Sequence, residues 1–99
     1  MKLQILDLAM DDLIKDYDFY ERSERGLGDY FLTNLYSDIE SLMVFGGIHR
    51  KAYHEFHRAI SKRFPFAIYY TVENEIIQIR SVVDCRRRPS WIREHLKDA

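Results

Sequence analysis

The chain has 99 residues, of which 46% are hydrophobic and 14% aromatic, and its formal net charge is -1 at pH 7. A chain of this length buries enough apolar surface only by forming one core, so residues 1–99 are predicted to form a single domain. This composition excludes an intrinsically disordered chain, which lacks the aromatic and branched residues that offset chain entropy. No stretch approaches the roughly 18 apolar residues of a membrane span, and we expect a cytoplasmic protein without a membrane partner.

The charge is divided unevenly along the chain. Residues 1–48 carry four Lys and Arg against ten Asp and Glu, a net charge of -6, whereas residues 49–99 carry eleven against six, a net charge of +5. A basic half favours an acidic partner, either nucleic acid or an acidic protein surface, unless the charges interleave on folding and only solvate the surface. Cys85, the only cysteine, has no partner for a disulfide, and we expect a buried, inert thiol in a reducing compartment.

The N-terminal half predicts one strand and two helices. Residues 2–6 alternate polar and apolar side chains, which is typical of a short strand with one buried face. From Asp7, the predicted N-cap, apolar residues recur every three or four positions and predict an amphipathic helix that ends before Gly26. A second helix is predicted from about Asp29 to the glycine pair 46–47, and the short link predicts that the two helices pack as an antiparallel hairpin.

The C-terminal half predicts three strands and a final helix. Residues 48–55 fit either a loop or an irregular lead-in to a strand, and residues 56–62 fit a strand. Alternation is clearest in residues 64–72 and continues, after a polar turn, in residues 77–84, which predicts an antiparallel meander. Pro89 occupies a position suited to the first turn of a helix.

The element order β-α-α-β-β-β-α, with the motifs RFPFAIYY at residues 63–70 and VVDCRRRPSWI at residues 82–92, resembles the RelE/ParE toxin superfamily, in particular its ParE-like, plasmid-stabilisation branch. The resemblance covers nearly the whole chain. It implies an α+β fold in which the helical hairpin packs on a small twisted antiparallel sheet. It also implies a toxin of a type II toxin–antitoxin system, held inactive by a cognate antitoxin whose C-terminal segment wraps around it, as a homodimer or as a heterotetramer with the antitoxin.

The two branches of the superfamily act on different targets. RelE-like members cut messenger RNA in the ribosome, whereas ParE-like members inhibit DNA gyrase by binding and perform no chemistry of their own. The residue matches favour the ParE-like branch, because Ala67 stands where the ribonucleases often have an arginine. Trp91 and Ile92 stand where the ribonucleases have the tyrosine that donates a proton. The resemblance therefore implies a gyrase inhibitor without a cofactor.

Two alternatives stay open. A ribosome-dependent endoribonuclease acting on messenger RNA would use His57, Arg58 and Arg86 as proton donor and phosphate-binding groups. Arg88 replaces an aspartate that ParE-like members often have before the proline, so the chain is alternatively an inactive relic that still binds its antitoxin.

A basic surface is predicted where the strands end. If the strands pair as predicted, Arg58, Arg80 and Arg86 meet on one exposed face and bind an acidic partner. Tyr69 is the predicted exposed stacking platform, since strand alternation sends the neighbouring aromatic residues into the core. Trp91 is interpreted either as a core anchor or as a displayed contact residue. The full set predicted to bind the target or the antitoxin is Arg58, Lys62, Arg63, Tyr69, Arg80, Arg86, Arg87, Arg88, Trp91 and Arg93.

A metal site is not expected, although His49, His54 and His57 lie close together in the sequence. A strand places residues three apart on opposite faces, and no cysteine assists them.

Overall fold

Five strands and three helices follow each other in a computed structural model that describes residues 1–99. They are β1 (Lys2–Ile5), α1 (Asp7–Ser23), α2 (Leu27–Phe45), β2 (Lys51–Tyr53), β3 (Phe56–Ile60), β4 (Phe66–Glu73), β5 (Ile76–Asp84) and α3 (Pro89–Leu96). The strands form one sheet in the order β1-β5-β4-β3-β2. The predicted α+β fold is confirmed, with two differences in detail. β2 is an additional strand within residues 48–55, the segment that fits either a loop or an irregular lead-in to a strand. β1 pairs with β5 in parallel, so the sheet is not entirely antiparallel as expected.

The helical hairpin packs on one face of the sheet. Apolar side chains spaced three and four residues apart on α1 and α2 are fully buried against alternate residues of β4 and β5, as strand and helix periodicity require. Phe31 lies at the centre, and its ring centroid is 5.0 Å from that of Tyr20 and 5.1 Å from those of Phe64 and Phe66. These aromatic contacts fix the position of the hairpin over the sheet.

The ends of the two long helices differ from the prediction by one or two residues. Leu6, and not Asp7, is the N-cap of α1, and its side chain makes no capping hydrogen bond. α2 begins two residues earlier than predicted, because the Glu21 carboxylate accepts hydrogen bonds from the backbone N–H groups of Gly26 and Gly28 at 3.0 to 3.1 Å. Gly26 has φ +88°, which a residue with a β-carbon rarely adopts. None of the helices has the length and apolar composition to span a bilayer.

α3 packs on the opposite face of the sheet. Leu96, which is 2% exposed, contacts a small cluster that contains Ala67, Tyr69 and Val83. Tyr69 is consequently 4% exposed, so the prediction of an exposed stacking platform is wrong. As strand alternation predicts, Tyr69 does not lie on the hairpin face of the sheet. It lies on the opposite face, and α3 covers that face.

The edge of β5 is only partly covered. β1 pairs with residues 76–79 of β5 and ends at Ile5, so residues 80–84 have no strand neighbour on that side. A register shift between β4 and β5 lies at Arg80, where the β5 strand carries one extra residue. The uncovered edge faces the space between α1 and α3.

We expect Phe31→Ala to lower the free energy of unfolding by about 3 to 5 kcal/mol, because the truncation leaves a cavity among three aromatic rings. Urea denaturation followed by circular dichroism measures this change. The control is Ile14→Ala, whose side chain is 52% exposed on α1 and should cost about 1 kcal/mol or less. Equal effects of the two substitutions would contradict the assigned core.

Candidate functional site

A cleft of about 420 Å³ lies along the uncovered edge of β5, between α1 and α3. Its floor is apolar and includes Phe66, Val82 and Val83. Its walls carry charged side chains of both signs, namely Asp12, Lys15, Asp16, Asp84, Arg86, Arg87 and His95. The cleft therefore combines an apolar base with groups that can form ion pairs.

Asp12 joins the three elements around the cleft. Its side chain is 8% exposed, and its Oδ2 accepts hydrogen bonds from Ser81 Oγ at 2.6 Å and from the backbone N–H of Val82 at 2.9 Å. Its Oδ1 lies 2.8 Å from Nε2 of His95 on α3. The carboxylate thus satisfies a donor on the open β5 edge and attaches α3 to α1. No local pattern indicated this role, because Asp12 resembles any other acidic residue on the polar side of an amphipathic helix.

Asp16 lies one helical turn further along α1 and has no hydrogen-bond partner. Partial burial raises the pKa of its carboxyl group to about 7, and the negative charges of Asp12 and Asp84 add to this effect. Arg87 and Lys15 oppose the increase to a smaller degree. The charge of the cleft consequently changes near neutral pH.

Arg86 is held by Asp84 at the end of β5. Its Nε and one terminal nitrogen donate to the two carboxylate oxygens at 3.0 and 2.8 Å, and this pairing lowers the pKa of Asp84. The guanidinium also lies beside the phenol of Tyr20 on α1. Arg86 is therefore directed toward the hairpin side of the molecule.

Trp91 lies at the surface between two other side chains of the C-terminal segment. The guanidinium carbon of Arg87 is 4.1 Å from the centroid of the Trp91 ring, and the His95 ring stacks on Trp91 with centroids 4.7 Å apart. Trp91 is 36% exposed, so its interpretation as a core anchor is wrong and its side chain lies at the surface. Leu96 and Ile92 attach α3 to the sheet instead.

Arg58 and Arg80 share the face of the sheet that carries α3. Arg58 is exposed and lies opposite Tyr69 on the neighbouring strand. Arg80 donates to Thr71 Oγ1 at 3.1 Å, and its guanidinium carbon is 5.7 Å from the ring centroid of Phe56. Because Arg86 is directed toward α1, the predicted meeting of Arg58, Arg80 and Arg86 on one face does not occur.

The remaining basic residues of the predicted set lie outside the strands. Lys62 and Arg63 are exposed in the loop between β3 and β4, because β3 ends at Ile60 and not at residue 62 as predicted. Arg88 is the N-cap of α3 and makes no side-chain capping bond, whereas Arg93 is exposed on the helix itself. Arg87, Arg88 and Arg93 are therefore exposed basic residues of α3 and of the turn before it.

The residues of the ribonuclease alternative are separated. His57 lies opposite Tyr70 on the hairpin face, where the two rings stack with centroids 5.0 Å apart. Its Nδ1–H donates to the carbonyl oxygen of His49 at 2.6 Å. Arg58, the next residue in the strand, points to the opposite face. The structure therefore does not bring His57, Arg58 and Arg86 into one site.

Cys85 also differs from its prediction. It is exposed in the turn that follows β5, so the expectation of a buried thiol is wrong. Its backbone N–H donates to the carbonyl oxygen of Pro65 at 2.8 Å, which fixes the turn but leaves the side chain at the surface.

Comparison with known proteins identifies the fold. No family model and no curated protein matches the chain. Among solved structures, the fold is similar to that of a chain from the structure described as "Chromosomal ParDE TA system from P. aeruginosa", with a TM-score of 0.76 and 20% sequence identity. The alignment covers 85% of this chain and 95% of the other. This similarity confirms the ParE-like fold that the sequence resemblance implied.

We expect Asp12→Ala to lower the free energy of unfolding by about 3 kcal/mol, because Ser81 and the Val82 N–H then lack an acceptor while buried. Urea denaturation and hydrogen exchange of the Val82 amide measure the effect. The matched control is Asp11→Ala, an exposed neighbour on the same helix, which should change stability by about 0.5 kcal/mol or less. A stable Asp12→Ala protein with a protected Val82 amide would contradict the assigned role.

The pKa of Asp16 predicts a pH dependence of stability. The folded value of about 7 lies above the ordinary value of 3.8, so the unfolded chain releases the proton first as the pH rises. The stability that the protonated Asp16 carboxyl group contributes is therefore fully present below about pH 4. It is lost as the pH rises from about 4 to about 7. Asp16→Asn should gain stability relative to the unsubstituted protein over this window, by about 1 kcal/mol once solvent screening is considered. Asp18→Asn, on the exposed side of α1, should show no such gain in denaturation curves at pH 4, 5.5 and 8.

Proposed function

We propose that this chain is the toxin of a type II toxin–antitoxin module, that it inhibits DNA gyrase by binding, and that a cognate antitoxin neutralises it. The observation that carries the proposal is the fold shared with a chain of the ParDE TA system, over 95% of that chain. Because one fold supports many functions, the surface residues must also agree with a binding role.

The arrangement of the histidine and arginine residues supports inhibition by binding over RNA cleavage. Cleavage requires a proton donor and phosphate-binding groups that act on the same bond. His57 and Arg58 point to opposite faces of β3, and Arg86 is paired with Asp84 beside α1. The Nδ1–H of His57 is already donated to a backbone carbonyl. The ribonuclease alternative therefore has no assembled set of groups.

The surface around the start of α3 supports a binding role. Arg87 and Trp91 form an exposed cation–π pair, and Arg88 and Arg93 are further exposed arginines at the N-cap of α3 and along the helix. Trp and Arg are the side chains that most often dominate the energy of protein interfaces. We assign target contacts to these four residues, and acidic antitoxin contacts to the exposed basic residues Arg58, Lys62 and Arg63.

The position of Arg88 bears on the alternative of an inactive relic. An aspartate at the N-cap would accept a hydrogen bond from the first turn of α3, and Arg88 cannot do so. α3 nevertheless begins at Pro89, whose fixed φ suits the first helical turn, and it remains attached through Leu96 and His95. The departure from the family pattern therefore leaves the helix in place.

We expect the purified chain to inhibit DNA supercoiling by gyrase without degrading RNA. The double substitution Arg87→Ala with Trp91→Ala should raise the concentration for half inhibition at least about tenfold, because it removes both members of the exposed pair. Arg25→Ala, an exposed arginine at the turn between α1 and α2, serves as the control and should inhibit like the unsubstituted chain.

Two other outcomes distinguish the alternatives. New messenger RNA ends on induction that disappear with Arg86→Ala would establish the ribonuclease alternative and refute gyrase inhibition. Harmless overexpression, together with binding to the antitoxin, would identify the chain as an inactive relic.

A further inference from the structure

Three side chains from separate parts of the fold meet beside residues 46–50, the segment that joins α2 to β2. Tyr70 of β4 is fully buried, and its hydroxyl oxygen lies 2.5 Å from Nδ1 of His49. The ring of His57 on β3 stacks on the Tyr70 ring, with centroids 5.0 Å apart. We call these three residues the histidine–tyrosine clasp. None of them lines the cleft beside α3.

The clasp attaches the joining segment to the sheet at three points. The backbone N–H of Gly47 donates to the Tyr70 hydroxyl oxygen at 3.0 Å, and the His49 ring meets the same hydroxyl group. His57 donates its Nδ1–H to the carbonyl oxygen of His49 at 2.6 Å. Residues 47, 48 and 50 are exposed, so the segment depends on these bonds for its position.

The hydrogen bonds of the Tyr70 hydroxyl group define the protonation state of His49. A hydroxyl group has one hydrogen to donate, and the Tyr70 oxygen already accepts from Gly47. The acceptor that this hydrogen meets is Nδ1 of His49, which must therefore carry no proton. The clasp consequently requires a neutral His49 ring with its hydrogen on Nε2.

Protonation of His49 disrupts this arrangement. An imidazolium ring carries a hydrogen on both nitrogens, so Nδ1–H and the Tyr70 O–H then point at each other. If the phenol oxygen accepts from Nδ1–H instead, its own hydrogen is buried without an acceptor, which is unfavourable. Burial lowers the pKa of the His49 ring, and the positive charge of a protonated His57 lowers it further. A protonated His49 is therefore more stable in water than in the clasp.

The neighbouring charged groups do not compensate for a charge on His49. Asp38 of α2 and Lys62 line the same hollow as His49, but Oδ2 of Asp38 accepts hydrogen bonds from Ser61 Oγ at 2.6 Å and from the Lys62 N–H at 3.2 Å. The charged residues beside His57 are Lys51, Glu55, Glu73 and Arg80. No carboxylate lies within ion-pair distance of the His49 ring.

We propose that the histidine–tyrosine clasp is an acid-sensitive switch, which holds the segment between α2 and β2 near neutral pH and releases it when His49 is protonated. Release breaks the bonds of Gly47 and His49 to Tyr70, whereas the pairing of β4 with β5 is unaffected. This inference does not rest on the proposed function, because the clasp contains no residue assigned to the target or the antitoxin.

The direction of the pH dependence follows from the lowered pKa of His49. The ordinary value is 6.5, so the released ring takes up a proton before the ring in the clasp does as the pH falls. The stability that the clasp contributes is therefore fully present above about pH 6.5. It is lost as the pH falls through the lower pKa of the folded chain.

Hydrogen exchange of the Gly47 amide measures the state of the clasp, because this N–H bonds to Tyr70. Its protection factor, relative to that of the buried residue Ile68, should fall at least about tenfold between about pH 7.5 and about pH 5. The ring resonances of His49 should titrate at a lower pH than those of His54, which is exposed between β2 and β3. Thermal melting at both pH values verifies that the chain is folded.

Three substitutions identify the groups that form the switch. His49→Asn keeps a side-chain acceptor near the position of Nδ1 but does not titrate, so the Gly47 amide should stay protected at both pH values. Tyr70→Phe removes the hydroxyl group, and the same amide should exchange rapidly at both. His54→Asn, the matched control, should retain the pH dependence of the unsubstituted chain.

Two results would overturn the inference. The first is a Gly47 amide that stays equally protected at both pH values in the unsubstituted chain. The second is a pH dependence that persists in His49→Asn and disappears in His57→Asn, because the group that responds to acid is then His57 and not His49.

Discussion

The buried carboxylate of Asp12 is the constraint on which the arrangement of the sheet and α3 depends. β1 ends before it can pair with the second half of β5, which leaves the Val82 N–H without a strand partner. Buried backbone donors require acceptors, and Asp12 supplies one from α1 while its second oxygen binds His95 of α3. One side chain thus compensates for a short strand and positions the helix whose Trp91 pairs with the exposed Arg87.

The main apolar core and the charged surface lie on opposite faces of the sheet. The hairpin face is apolar and aromatic, and it contains His57 only as a ring stacked on Tyr70. The opposite face is partly covered by α3 and carries Arg58 and Arg80. A binding protein requires such accessible surfaces, which agrees with the proposed mode of inhibition.

Periodicity predicted the hairpin and the long strands, because Phe31 and its neighbours repeat at helical spacing and residues 64–72 alternate. The same alternation places His57 and Arg58 on opposite faces of β3 in the structure, although the sequence analysis grouped them in one site. It does not reveal which face a later helix covers, and for this reason Tyr69 was misassigned. Arg86 lies in a turn, where alternation no longer applies and pairing with Asp84 decides its direction. The role of Asp12 depends on contacts with residues about 70 positions away, which no local pattern encodes.

The parallel pairing of β1 with β5 has a consequence for biosynthesis. Lys2 pairs with Ile76, so β1 must wait until β5 has left the ribosome before it can enter the sheet. Such non-local pairing is slow compared with the formation of a helical hairpin. A nascent chain therefore holds a formed hairpin above an incomplete sheet until β5 has been synthesised. Under the proposed function, a harmful surface arises only after that point, when an antitoxin made beforehand is already present to meet it.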